Sequence, residues 1–426
     1  MRIAVVNWSR RKVGGTEAYL NSIIPELLNV GHQVAFWHEA DVPAANDPIA
    51  LADEIPAWCV SELGVQSALT ALRDWRPDII YAHSLMQPAL EAEMLKVAPA
   101  VFFAHAYYGT CISGSKTFKY PVPTPCHRRF GWQCMAHYYP HRCGGLSPIT
   151  MLKEYRRQAK RFEHLSIYKA IVTHSTYMQA EYIKHGFDPE RVHCLSYYAA
   201  EVEQRDQHHA QTPDDFSPRP TETALGVDSS ETKPEMPDCW RLLFLGRMDF
   251  LKGGHLLINA LPRVKALLDR PVHVTFAGDG PERKIWERYA ARTQARTQGL
   301  EIEFVGWVKG KEREMLWNDC HLLVLSSVWP EPFGLVGPEA GLRGMPTVAF
   351  AVGGITDWLK DGINGYLASG DPPTSENLAD AIVKCFHDPV VYARLRQGAV
   401  EVSRKFKMER HLAALLNVLE KVVQDN

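Results

Sequence analysis

The feature that most restricts how this chain can fold is a rhythm that occurs twice. A short apolar run is followed by a glycine-bearing loop and then by an amphipathic stretch of helical period. Strands separated by helices pair in parallel, because a parallel pair needs a crossover connection and the helix supplies it. In the first half the strands read "RIAVVNW", "HQVAFWH", "PDIIYAHS", "AVFFAHA" and "AIVTHS". The stretch "TEAYLNSIIPELLNVG" is a helix with Leu20, Ile23, Ile24, Leu27 and Leu28 on one face and a kink expected at Pro25. In the second half "RLLFLG", "VHVTFAG", "IEFVGW", "HLLVLSS", "PTVAFA" and "GYLAS" repeat the pattern. A chain of 426 residues exceeds what one core supports. The fold class expected is therefore α/β, with two doubly wound Rossmann-like domains facing across a cleft. Residues 1–200 form the first domain and 239–405 the second. The intervening 201–238, rich in Pro, Asp, Glu, Ser and Thr, reads as a polar, mobile linker, and 406–426 as a closing amphipathic helix.

Charge narrows the partners. With 47 basic and 49 acidic residues the chain is almost neutral, which argues against a dedicated nucleic-acid binder. Small molecules or glycans are the expected partners. The opening "MRIAVVNWS" has neither the apolar length nor the cleavage pattern of a leader, so a cytoplasmic location with reduced cysteines is expected.

Doubly wound domains bind ligands outside the carboxyl ends of their strands, so the loops there are the places to read for chemistry. After "HLLVLSSV" comes "WPEPFGLVGPEAGLRGMP", with Glu331 and Glu339 either side of a Phe-Gly turn and a helix expected to begin near Leu335. Backbone N–H groups at Gly334, Leu335 and Val336 would then offer an anion site, and the two carboxylates would flank it, accepting hydrogen bonds from sugar or ribose hydroxyls. The plainer alternative makes Glu331 a solvated loop charge and Glu339 a carboxylate favoured by a helix start. After "RLLFLG", which ends at Gly246, Arg247 and Lys252 put two cations where a diphosphate could be neutralised. No D-x-D motif supplies a metal for that purpose. Gly14 and Gly15 open the first helix, Gly353 and Gly354 follow "PTVAFA", and His105 ends "AVFFAHA" at the ligand edge.

Taken together, "EPFGLVGPEA", "GRMDFLKGG", "AGDGPER", "VGGITD" with "DGINGYL", and "GGTEAYL" resemble the retaining glycosyltransferases of the GT-B fold, the family 4 group with the E-x7-E signature. The resemblance implies a nucleotide diphosphate sugar as donor, a uridine donor by frequency in the family. It places Glu331 on hydroxyls of the donor sugar, Glu339 on the ribose, and Arg247 with Lys252 on the diphosphate. His105 would line the reaction centre, and the backbone at Gly15, Gly334 and Leu335 would support phosphates and sugar. The acceptor implied is a glycan or lipid-linked saccharide, with no cofactor required. Two stretches depart from the family pattern: "LSYYAAEVE" where a Pro-Asn-Gly-Val turn is common, and Thr356-Asp357 where Pro-Glu is common.

Other classes fit less well. A nicotinamide enzyme would carry G-x-G-x-x-G after the first strand, which "NWSRRKVGGTEA" lacks. A pyridoxal-dependent phosphorylase would be longer. The alternative retained is a catalytically silent nucleotide-sugar-binding protein of the same fold.

Two segments remain. His105 to Gly145 carries Cys111, Cys126, Cys134 and Cys143 among aromatics; none has the C-x2-C spacing of a zinc knuckle, so packed thiols are expected and a metal site is only a weak candidate. Tyr107, Tyr108 and Trp132 in it are candidates to stack on acceptor sugars. Met151 to Leu165 reads as a basic amphipathic helix, with Met151, Leu152, Tyr155, Ala159 and Phe162 at helical spacing and Lys153, Arg156, Arg157, Lys160 and Arg161 around them. Packing of that stripe on the first domain is one reading; reversible peripheral contact with the inner membrane face is the other.

Overall fold

A computed structural model describes residues 1–12, 14–41, 47–199 and 237–425. The stretch read as a linker, 201–238, lies outside the described residues except for its last two positions.

Two all-parallel sheets form, as the rhythm implies. The first has seven strands: β1 (Arg2–Asn7), β2 (Gln33–His38), β3 (Ala57–Cys59), β4 (Ile79–Ala82), β5 (Ala100–Phe103), then, after a two-stranded ribbon of β6 (Thr117–Phe118) and β7 (Thr124–Pro125), β8 (Ala170–Thr173) and β9 (Val192–Cys194). Their order is β3-β2-β1-β4-β5-β8-β9. The second sheet contains β10 (Trp240–Leu245), β11 (Val272–Ala277), β12 (Leu300–Gly306), β13 (Leu322–Leu325), β14 (Thr347–Phe350) and β15 (Gly365–Ala368), in the order β12-β11-β10-β13-β14-β15. The strand order reverses direction between β1 and β4 in one sheet and between β10 and β13 in the other. Crevices open at such switch points, because the loops on either side leave toward opposite faces.

All eleven apolar runs become strands. β3, β9 and the ribbon are additions, short and at sheet edges or outside them, where little apolar pattern is needed. The first helix runs Gly15–Asn29 and continues through Pro25, burying Leu20, Ile23, Ile24 and Leu27. The sequence does not show which domain the closing helix joins. The helix Met408–Gln424 turns its apolar face to the first domain: its Leu412, Leu415, Val418, Leu419 and Val422 join Ile3, Val5, Leu20 and Ile79 in that domain's core. Just before that helix the Ala199 N–H donates to Phe406 O at 3.0 Å.

The basic helix extends over Pro148–Leu165 and takes its packed reading for most of its apolar stripe. Met151, Tyr155 and Phe162 lie against other hydrophobics, and Arg161 is buried beneath the helix with its guanidinium on Leu85 O. Arg157 pairs with Glu154 and Lys160 with Glu163. Among the described residues no helix is long and apolar enough to cross a membrane.

Candidate active site

The second domain's switch point assembles from two loops. After β10, Asp249 Oδ1 accepts from the N–H groups of Leu251 (2.9 Å) and Lys252 (3.3 Å), which turns the chain into the short 3-10 helix Phe250–Lys252 and points Lys252 back over the sheet edge. After β13, the segment Trp329–Gly334 folds across the same edge. Lys252 Nζ donates to Glu331 Oε1 at 2.6 Å, and Ser327 Oγ donates to the same oxygen at 2.5 Å. Glu331 is buried while Lys252 stays partly open, so the pair is a desolvated carboxylate held by a cation that solvent still reaches. The Gly353-Gly354 pair makes room for it. Gly353 sits at φ +57°, and a Cβ there would come within 2.4–2.5 Å of the Glu331 backbone N and O; the N–H of Gly354 donates to Glu331 O at 2.7 Å. A side chain at 353 would push the carboxylate loop out of register.

Glu339 lies in the first turns of the helix Val336–Leu342, whose start agrees with the sequence reading. It is buried and takes a different cation, Arg313 from the helix Gly310–Asp319, while Arg343 Nη1 donates to its backbone oxygen at 2.9 Å. Burial raises its pKa against the opposing pull of Arg313 and Arg343. The two glutamates are therefore separate stations with separate counter-charges, as their spacing suggested. Gly334 adopts φ +83° between them. Arg247, two residues after β10, has a side chain 67% exposed, its Nε 4.0 Å from Asp249 Oδ2. Gly246, at the end of β10, lies beside Gly278; a Cβ on Gly278 would strike Gly246 O at 2.0 Å.

Across the cleft, Gly14 and Gly15 begin the first helix. A buried carboxylate that the sequence reading missed anchors them: Glu17 Oε2 accepts from the Gly14 N–H (2.9 Å), and Oε1 accepts from Asn7 Nδ2 (3.1 Å) and Trp8 Nε1 (3.0 Å). The Cβ position of Gly15 faces open space, as close approach of a ligand requires.

His105 is not alone. Asn7 ends β1, and His83, His105 and His174 follow the neighbouring strands β4, β5 and β8 at their carboxyl ends. His83 Nδ1 and His105 Nε2 are 2.7 Å apart, His105 Nδ1 lies 2.6 Å from Tyr197 OH and 3.1 Å from His174 Nε2. Tyr19 OH links Tyr81 OH (2.8 Å) and His411 Nε2 (2.9 Å) beneath them. Burial depresses all these imidazoles, His105 to about 3 and His411 to about 4, so they are neutral bases at neutral pH. Both ring nitrogens of His105 are engaged within the protein. A signal for its partners was present in the sequence: "YAHS", "FAHA" and "VTHS" each end an apolar run with a histidine.

Three acceptor-side candidates fare differently. Tyr107 cannot stack on a sugar: it is 0% exposed, its hydroxyl donates to Pro330 O at 2.9 Å, and its ring meets Trp329 edge-on. It is a bridge between the domains, and its burial could not be read from residue type. Tyr108 carries the Arg161 guanidinium over its ring at 5.0 Å. Trp132 is 68% exposed at the start of the helix Gln133–Tyr138. The cysteines Cys111, Cys126, Cys134 and Cys143 are free thiols, and burial with the neighbouring sulfurs pushes Cys143 up to about 12. Among the described residues no group of three or more His, Cys, Asp or Glu is arranged to hold a metal.

The departure at Asp357 is a domain contact. Its carboxylate accepts from Thr176 N–H (2.7 Å) and Thr176 Oγ1 (2.6 Å), capping the first domain's helix Thr176–Lys184 from the second domain. Replacing Asp357 by alanine should weaken cleft closure by roughly tenfold in apparent donor KM, the equivalent of about 1.4 kcal/mol. Small-angle scattering should show a wider mean domain separation with unchanged melting of each domain. Identical scattering and KM would mean the contact does not govern closure.

Comparison with known proteins places these features in context. Residues 13–196 match the family model described as Glycosyltransferase Family 4, and residues 240–388 that described as Glycosyl transferases group 1. An uncharacterised glycosyltransferase of Methanocaldococcus jannaschii is 33% identical over 134 residues, 32% of this chain and 33% of that protein. The phosphatidyl-myo-inositol mannosyltransferase of Mycobacterium leprae is 30% identical over 204 residues, 46% of this chain and 52% of that protein. The chain thus spans about a third to a half of the length of these relatives. Anabaena HepE, solved in complex with UDP and glucose, superposes with a TM-score of 0.62 over 99% of this chain and 100% of its own, at 19% identity. That likeness establishes the fold.

Proposed function

The chain carries two glycosyltransferase-family halves in a GT-B fold, and from that premise we propose that it moves a hexose-type sugar, with retention, from a nucleotide diphosphate sugar, UDP-linked by preference, to a glycan or lipid-linked saccharide. Synthesis of a cell-surface polysaccharide or glycoconjugate is the process such a transfer serves. The observation that carries the reading is the Lys252–Glu331–Ser327 cluster at the β10/β13 switch point.

In this reading Glu331 accepts hydroxyls of the donor sugar and Glu339 those of the ribose, the latter requiring Arg313 to share its carboxylate. Arg247 and Lys252 stabilise the charge that grows on the diphosphate as its bond to the anomeric carbon breaks. The acceptor oxygen bonds to that carbon from the face the diphosphate leaves, and its proton passes to the departing phosphate oxygen. No protein nucleophile takes part, and neither a metal nor an organic cofactor is needed. His105, held by its three neighbours, lines the sugar pocket as a fixed neutral ring.

Nucleotide binding is the first test. In a thermal-shift screen of nucleoside diphosphates and their sugars, a ligand at 100 times its dissociation constant adds about 2.7 kcal/mol to stability. UDP and one UDP-sugar should raise Tm, and transfer monitored by proton NMR should give the same anomeric configuration as the donor. Stabilisation by the sugar nucleotide without any release of UDP would instead identify a silent binding protein; no shift with any nucleotide would remove the reading altogether.

A further inference from the structure

From Met94 to Lys153 the sequence contains no aspartate or glutamate, in a chain that has 49 acidic residues. This run includes the ribbon β6–β7, the helix Gln133–Tyr138 and the start of the helix Pro148–Leu165, which form one lobe around a shared apolar cluster. Its inward side is packed: Tyr138, Phe130, Met135, Met151 and Tyr155 share a small cluster. Its outward side is not covered. Leu146 and Ile149 are each 81% exposed, the most exposed large hydrophobic side chains among the described residues, and Trp132 is 68% exposed.

These apolar side chains are held out by structure. Pro148 opens the helix, and Ser147 Oγ accepts from the Thr150 N–H at 3.3 Å, so the turn carrying Leu146 and Ile149 is capped. Met151 and Tyr155 fill the lobe's interior from the same helix, which leaves Ile149 no route inward. Arg128, Arg129 and Lys153 lie exposed on the same lobe, and no carboxylate within the run offsets them. Bare aliphatic tips and an indole on a lobe whose exposed charges are cations of one sign are the pattern of an interaction site. A partner that satisfies it presents negative charge at its surface and hydrocarbon just beneath. A nucleic acid supplies the first and has no place for Leu146 and Ile149.

We propose that this lobe docks on an anionic lipid surface, with Leu146, Ile149 and Trp132 entering the interfacial layer and Arg128, Arg129 and Lys153 facing lipid phosphates. Aliphatic side chains gain by leaving water, the indole suits the headgroup boundary, and each cation adds attraction that salt screens. The contact surface differs from the helical stripe Met151 to Phe162, which is largely spent on the domain's own packing. It stands on surface composition alone, so it can fail while the donor-site reading holds, and the reverse.

The experiment is co-sedimentation of the whole protein with phosphatidylcholine vesicles, with and without phosphatidylglycerol, at low and high salt. Binding is expected to the phosphatidylglycerol vesicles at low salt and to fall on adding salt. Leu146→Ser with Ile149→Ser, and separately Arg128→Glu with Arg129→Glu, should each reduce the partition coefficient at least about tenfold, with circular dichroism and nucleotide-induced thermal shift unchanged. All four side chains are exposed, so both variants should fold. Equal binding to pure phosphatidylcholine, no binding to anionic vesicles at low salt, or wild-type binding by the serine variant would overturn the proposal. So would displacement from anionic vesicles by duplex DNA or RNA that the Arg128→Glu, Arg129→Glu variant no longer binds.

Discussion

Lys252→Ala is expected to lower kcat by about two to three orders of magnitude, the loss typical when a donor aimed at developing negative charge is removed. Lys252 has two tasks in one position. It neutralises the buried Glu331 carboxylate through the 2.6 Å contact at Oε1, and in the proposed reaction it faces the diphosphate as that group leaves. Removing it deprives the leaving group of a cation and leaves Glu331 buried with only Ser327 on that oxygen. Glu331→Gln should lose kcat as well, because an amide offers one acceptor where the carboxylate offers two.

Glu339→Gln should behave otherwise. Its partner is Arg313 on the helix Gly310–Asp319, and its proposed contact is with ribose, remote from the bond that breaks. Its loss should raise donor KM with kcat changed much less, the signature of an interaction made equally in the ground and transition states. Steady-state kinetics of all three variants, with UDP affinity measured by calorimetry, separate these roles. If Lys252→Ala and Glu331→Gln both turn over at the wild-type rate with unchanged KM, the cluster is not the reaction centre.

Why some of this was legible in the sequence and some was not follows from what each residue's environment depends on. The eleven strands were legible because buried parallel strands are continuous apolar runs. The positions of the loops bearing Lys252, Glu331 and Glu339 were legible because each directly follows an apolar run that becomes a strand. Which carboxylate meets which cation was not: Arg313 is far from Glu339 in sequence, and only the packing of its helix joins them. Glu17 gave no signal by residue type, yet it fixes Asn7, Trp8 and Gly14 at once. Tyr107 looked like a stacking platform because an aromatic residue's type does not tell whether it faces a cleft or closes one. The helix Met408–Gln424 declared an apolar face but not the domain that would cover it. The three strand-ending histidines were readable as a repeat, yet only His105 was singled out; His83 and His174 were passed over because each one alone is unremarkable.

That histidine row gives the second large expectation, a steep loss of stability in mild acid. His83, His105, His174 and His411 are held below the ordinary imidazole pKa, all four mainly by burial. The groups facing them are Tyr19, Tyr81, Tyr197 and Tyr198 with Phe103, rings that bring no compensating negative charge at neutral pH. His83 Nε2 and His174 Nδ1 are buried without a protein partner, so a proton added there would have no acceptor. The sign follows directly. A group whose folded pKa lies below its unfolded value binds protons in the unfolded chain first, so its contribution to stability is intact above about 6.5 and is lost as pH falls toward the folded values, about 3 for His105 and about 4 for His411. Each such imidazole removes up to about 1.4 kcal/mol per pH unit in that window, so four together could exhaust a typical margin of about 5–15 kcal/mol within a few units. Calorimetric unfolding between pH 7.5 and 5, run in buffers of different ionisation enthalpy, should show a falling Tm and uptake of several protons on unfolding. His174→Asn should reduce that uptake by about one. A Tm that stays level across this range would mean the imidazoles already carry protons in the folded protein, and the neutral row at the floor of the cleft would have to be abandoned.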